Sequence, residues 1–176
     1  FMRSLGWHPI NNPTFDWPSG LSLGPYGIVM TATFIISGLL IAVLALRLKA
    51  DLRHAATSQA GSTLLALSGL ALAGLAFTTD PTIRTTPVTW HGQLHDLSFV
   101  LLGFTLFPAI IMLGFAFRND AKWKNFSLYT WLTVACAIPA FILKGAFFYI
   151  FLFAILFWIE ALAWKLNDFI PLSFWA

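Results

Sequence analysis

The sequence predicts an all-α, polytopic transmembrane helical bundle with five visible spans. Three observations carry this expectation. Of 176 residues, 59% are hydrophobic and only 10% are charged, whereas soluble domains carry roughly 25% charged residues. Several apolar runs reach the roughly 18 to 20 residues needed to cross a hydrocarbon core. The basic residues stand in the segments between those runs, a spacing that suits membrane topology and makes no continuous basic face for nucleic acid.

Residues 1–24, rich in Pro, Asn, Gly and Trp, read as an irregular extracytoplasmic segment, with Trp7 and Trp17 suited to the membrane interface. A transmembrane domain then covers residues 25–168. Its first span, about 28–46, contains no charge and is closed by Arg47, Lys49 and Arg53. The second, 61–77, places Ser62, Ala66, Gly69, Ala73 and Ala76 on one helical face, a small-residue stripe of the kind that lets lipid-embedded helices approach closely.

For the third span, Thr86 followed by Pro87 resembles an N-cap and a first-turn proline, so helix is expected from near Pro87 to Phe117, bent at Pro108. At about 1.5 Å per residue it measures on the order of 45 Å against a core of about 30 Å. Its first two turns, with His91 and His95, should therefore stand at the interface, and the embedded part is about 94–117. A fourth span, 126–143, contains Pro139. Lys144 and Gly145 make a tight turn into the fifth, 146–166, and residues 169–176 form a tail.

Arg47, Lys49, Arg53, Arg118, Lys122, Lys124 and Lys165 lie at one set of span ends, and Arg3, Arg84 and Lys144 at the other. The richer set marks the cytoplasmic side. The amino-terminal segment and the 78–90 loop then face outward and the C-terminus lies inside. Residue 1 is Phe and no signal-peptide pattern precedes the first span, so an upstream helix is expected, making six spans. The single cysteine, Cys136, permits neither an intrachain disulfide nor a zinc ribbon.

Polar chemistry gathers in "FTTDPTIRTTPVTWHGQLHD", Phe77 to Asp96. With "LSLGPYGIVMTATFIISGLLIAVLAL" before it, "FTTDP" closing the second span and "TWHGQLHD" opening the third, the chain from about Leu21 onward resembles the prokaryotic membrane family catalogued as domain of unknown function 998. The resemblance implies a six-span bundle and marks Asp80, Pro81, His91, Gly92 and His95 as a polar signature. The family often shows an acidic residue and Arg after the Gly that opens its last span. Here Gly145 is followed by Ala146, Phe147, Phe148 and Tyr149.

Three readings of this cluster are open. His91 and His95, four apart, share a helical face, and with Asp80 or His8 could hold a metal ion and an activated water for a lipid or amide hydrolase. No nucleophile or second-shell partner is identifiable by spacing. Alternatively, Asp80 caps a turn and pairs with Arg84 while the histidines hydrogen-bond loop carbonyls. The third reading is recognition of a lipid headgroup or small polar ligand by Arg84, Lys144 and the histidines, with Trp90 at the interface. Haem is disfavoured, because His91 and His95 share a helix and His54 lies on the opposite side.

Elsewhere, Asp51 and His54 are expected to be solvated, and Glu160 to snorkel beside Trp164 and Lys165. The aromatic last helix, "FFYIFLFAILFW", presents a lipid-facing or subunit-facing surface. The competing class is therefore an accessory structural subunit of a larger membrane complex, released by polar substitutions at Phe148, Phe151 or Phe157.

Overall fold

In hydrocarbon a backbone amide has no water to bond, so an uncharged apolar run satisfies its own hydrogen bonds as helix. The computed structural model describes residues 18–52, 56–81, 87–143 and 147–167. They form α1 (Gly27–Asp51), α2 (Ala56–Gly74), α3 (Trp90–Arg118), α4 (Lys124–Leu143) and α5 (Phe147–Asn167), preceded by a 3-10 turn, Pro18–Leu23. Helices α1, α3, α4 and α5 are each long and apolar enough to cross a membrane. The chain is an integral membrane protein, and outward side chains such as Ile28, Leu40, Phe104, Leu128 and Phe153 are exposed for contact with lipid.

Helix α2 falls short of that apolarity because Thr57, Ser58 and Gln59 occupy its first turn. Its 19 residues nevertheless extend about 28 Å at a helical rise, and it packs between α1 and α3. The small-residue stripe explains how. A β-carbon on Gly69 would strike the Gly38 carbonyl of α1, and one on Gly38 would strike the Gly69 carbonyl. Toward α3, Gly61 meets Leu113 and Gly74 meets Ser98. Small residues thus face both neighbours, and backbones approach where bulkier side chains would hold them apart.

Successive helices pack on each other, and α5 returns to touch α1. Leu48, Leu65, Ile110, Leu113, Trp158 and Leu162 fill the core. Two buried polar contacts fix helix rotation: Ser127 Oγ donates to the Gly114 carbonyl at 3.0 Å, and Trp158 Nε1 donates to Thr130 Oγ1 at 3.1 Å. Pro108 and Pro139 lie inside α3 and α4 without interrupting them.

One end of the bundle is tied by charge. Lys122 Nζ pairs with Asp51 Oδ1 at 2.5 Å, and Trp123 Nε1 donates to Asp51 Oδ2 at 2.9 Å. Lys165 lies 5.6 Å from the centre of the fully buried Trp123 ring. Asp51 is exposed, as expected of a solvated residue, and it also bridges the α1 terminus to the α3–α4 connection, because a buried indole N–H needs an acceptor. His54 lies outside the described residues.

Two corrections follow. Helix α3 begins at Trp90 with Thr89 as its N-cap, so Pro87 precedes the helix rather than opening it. On α5, Phe148 and Phe151 are buried, while Phe153, Leu156, Phe157 and Trp164 are exposed. Only the second group can form an outer contact face.

Candidate functional site

The opposite end is built where α2 stops and α3 starts. A helix terminus leaves backbone groups without partners, carbonyls at the end of α2 and N–H groups at the start of α3. The two termini supply each other through side chains. Thr89 Oγ1 accepts from Gly92 N at 3.1 Å, the ordinary N-cap bond. The same hydroxyl donates to Asp80 Oδ1 at 2.7 Å, and Thr89 N donates to Asp80 Oδ2 at 2.9 Å. A carboxylate held at a helix N-terminus also meets the positive end of the helix dipole.

Gly92 makes this seat available. A β-carbon at that position would overlap the Asp80 carboxylate, so the acid lies directly on the first turn of α3. In the other direction, the histidines reach the carbonyls that follow α2. His91 Nδ1 is 3.0 Å from the Thr78 carbonyl and 2.9 Å from Thr89 Oγ1. His95 Nδ1 is 3.0 Å from the Leu75 carbonyl and 2.8 Å from that of Phe77. Carbonyls only accept, so the Nδ1 of His95 carries its proton and, in the neutral ring, Nε2 is left as an acceptor.

The structure therefore brings Asp80, His91 and His95 to one end of the bundle, as spacing implied, but Asp80 and His91 meet through the Thr89 hydroxyl and His95 bonds backbone carbonyls. Among the described residues no three His, Cys, Asp or Glu side chains are placed to hold a metal ion. The proximal nitrogens of both histidines are engaged by oxygen acceptors, and both carboxylate oxygens of Asp80 by Thr89. Arg84, Lys144 and His8 lie outside the described residues. Trp90 is exposed and packs edge-on against Phe77 and His91, with ring centres 6.1 and 5.5 Å apart.

Beneath this cap lies a cavity of about 90 Å³, bordered by residues from the 3-10 turn and all five helices. His95, 4% exposed, lines it. Six phenylalanines do most of the remaining work: Phe34, Phe99, Phe107, Phe141, Phe148 and Phe151. Ser19 is the other lining residue with a polar side chain, and no lining residue is charged. Sequence reading missed this cavity, since helix period alone does not say which phenylalanines from four different helices converge.

The family model described as "Protein of unknown function (DUF998)" matches residues 4–165. The chain belongs to this family. No curated protein and no solved structure was found to match it. This DUF998 protein joins the end of α2 to the start of α3 by side-chain hydrogen bonds and holds beneath them an apolar hollow with one buried imidazole.

Replacing Asp80 by alanine should test the cap. Removal leaves Thr89 N and the start of α3 without their acceptor, and is expected to reduce stability by about 1–2 kcal/mol. Faster amide exchange across residues 89–92 in detergent would be the accompanying sign.

Proposed function

We propose that this DUF998 protein binds the hydrocarbon part of a membrane amphiphile in the cavity beneath His95, at the extracytoplasmic face of a prokaryotic inner membrane. In this reading the N-terminal segment lies outside and the C-terminus inside, with the Asp51–Lys122 cluster at the cytoplasmic end, as the excess of basic residues there requires. Asp80, His91 and the 3-10 turn form the rigid outer rim, where Arg84 and Lys144 would meet a polar headgroup. The protein is a binder on this view, because Thr89 Oγ1, which lies 2.9 Å from His91 Nδ1, is already committed to Asp80 and to the first turn of α3.

The observation that carries the reading is Gly103. Glycine inside a helix costs roughly 0.5–1 kcal/mol relative to alanine, and the other glycines of these helices repay that by close contact. A β-carbon on Gly38, Gly61, Gly69, Gly74, Gly92 or Gly114 meets neighbouring atoms, whereas one on Gly103 meets none within 4 Å. Gly103 lines the cavity, so its missing side chain leaves room that nothing among the described residues occupies. Pockets for apolar ligands have this form: a mostly apolar lining with a few polar groups.

Substituting Gly103 by leucine would fill the space. Protein purified in mild detergent should carry roughly one extractable chain-bearing molecule per polypeptide beyond the detergent background, and Gly103→Leu should lose it while folding normally. Equal retention by both proteins would refute the assignment.

A second reading, an accessory subunit, draws on the far side of α5. Phe157, Glu160 and Trp164 line an open groove with Phe126, Tyr129 and Lys165, and Glu160 is exposed. A carboxylate exposed on a helix whose other charge is Lys165 suits a partner helix bearing a cation. Co-purification in fixed stoichiometry, abolished by Phe157→Ser but not by His95 substitutions, would favour it.

A further inference from the structure

We propose that the groove between α4 and α5 binds a lipophilic organic monocation, with the Glu160 carboxylate as its counter-ion and the rings of Phe126, Tyr129, Phe157 and Trp164 as its walls. The groove shares no lining residue with the cavity beneath His95, so this goes beyond the binding role argued there. It also gives the groove an occupant other than a partner helix.

Charge is the first argument. Glu160 is exposed on α5, a helix long and apolar enough to cross a membrane. It stands seven residues before that helix ends at Asn167, about 10 Å in from the end. Among the described residues it has no hydrogen-bond or ion-pair partner. A carboxylate on a membrane helix is costly unless something neutralises it, and such groups mark the paths of ligands and ions. Lys165, the other charge lining the groove, does not pair with it. Five positions further on, it is turned about 140° around the helix, and its Nζ lies 5.6 Å from the centre of the Trp123 ring.

The walls specify the kind of cation. Four of the seven lining residues are aromatic, and Phe126 and Tyr129 meet edge to face with ring centres 5.4 Å apart. Aromatic faces attract organic cations through their quadrupole, most strongly where water is excluded. A metal ion needs several oxygen or nitrogen ligands, and no three His, Cys, Asp or Glu side chains among the described residues are grouped to supply them. The groove measures about 620 Å³, within the roughly 300–1,000 Å³ of small-molecule sites. A cation carried directly on a bulky apolar body fills such a space and keeps its charge beside Glu160. A zwitterionic phospholipid matches less well. Its ammonium is its outermost group, so an ammonium at the depth of Glu160 would draw the phosphate deeper still, among the rings.

Tetraphenylphosphonium and tetraphenylborate test this on the full chain in dodecyl maltoside, by equilibrium dialysis against protein-free micelles. The two ions share one shape and differ in the sign of their charge. Wild-type protein is expected to bind the phosphonium saturably, roughly one per chain, and about ten-fold more tightly than the borate. Glu160→Gln keeps the size of the side chain and removes its charge, and should weaken phosphonium binding about ten-fold. Glu160 is the only glutamate in the sequence, so isotope-labelled glutamate gives a single carboxylate carbon signal. The phosphonium, and not the borate, should move that signal in the wild type.

Absence of saturable phosphonium binding by the wild type, equal affinity for the two ions, or an unchanged affinity in Glu160→Gln would overturn the assignment. A second chain that co-purifies with the wild type, is lost in Glu160→Gln and blocks the phosphonium would overturn it in favour of a subunit contact. The comparison of the two ions and the carboxylate signal are read on unaltered protein, so a variant that fails to fold does not remove the test. None of these outcomes bears on the cavity, which is tested separately by the molecule lost in Gly103→Leu.

Discussion

Replacing His95 by alanine is expected to cost about 2–4 kcal/mol of stability. Two losses combine. The Leu75 and Phe77 carbonyls, just beyond the end of α2, lose their side-chain donor at a site shielded from water. Removal of the ring also enlarges a void that is already present beneath the cap, and the contact with Phe34 goes with it. Thermal unfolding in detergent, read by circular dichroism, measures the loss, and amide exchange across residues 75–80 locates it. His95→Asn should recover part of the stability, because one donor is restored. An alanine variant as stable as the wild type would show that the imidazole does not hold the α2 terminus.

A comparable effect is expected from Gly69→Val, for the opposite reason. Here atoms are added where two backbones already meet. The valine β-carbon would stand against the Gly38 carbonyl and the Ala42 amide of α1, and these are backbone atoms that cannot turn aside. Overpacking costs about 1–3 kcal/mol in ordinary cores, and the upper end applies because α1 must be displaced as a unit. Gly103→Ala is the control. The added methyl meets nothing within 4 Å, so the helix gains up to about 1 kcal/mol from its better helix former. Opposite signs for two glycine substitutions on adjoining helices would separate glycine kept for contact from glycine kept for space. Both values can be read from detergent unfolding.

The polar end of the bundle was legible in part. Spacing alone placed His91 and His95 on one helical face and at the same boundary as Asp80, and the structure agrees. The stripe from Ser62 to Ala76 was legible as a packing face, and Gly69 and Ala73 indeed meet Gly38. What spacing did not convey was the direction of the hydrogen bonds. The metal-like pair serves the carbonyls beyond α2, and Thr89 joins Asp80, Gly92 and His91. Threonine is an ordinary N-cap residue, but Thr86 before Pro87 offered a competing helix start. Only the position of the Asp80 carboxylate decides between them.

Asp51 and the α5 phenylalanines make the same point from the other side. In the sequence Asp51 sits among loop residues and looks solvated; Lys122 and Trp123, more than seventy positions away, are what engage it. In "FFYIFLFAILFW" every position is apolar, so no hydrophobic period distinguishes Phe148 from Phe153, although one lines the cavity and the other faces outward.

The amino-acid order by itself determined that this chain lies in a membrane as helices, roughly where each helix runs and which segments share an end. These properties follow from run length, charge placement and the need of every backbone group for a local partner. Only the tertiary structure decided that the histidines cap a neighbouring helix and that phenylalanines from four helices enclose a hollow beneath them. Helix formation is satisfied within a few residues of chain, whereas a cavity exists only between surfaces that distant segments bring together, and in a uniformly apolar sequence nothing local records which surfaces those will be.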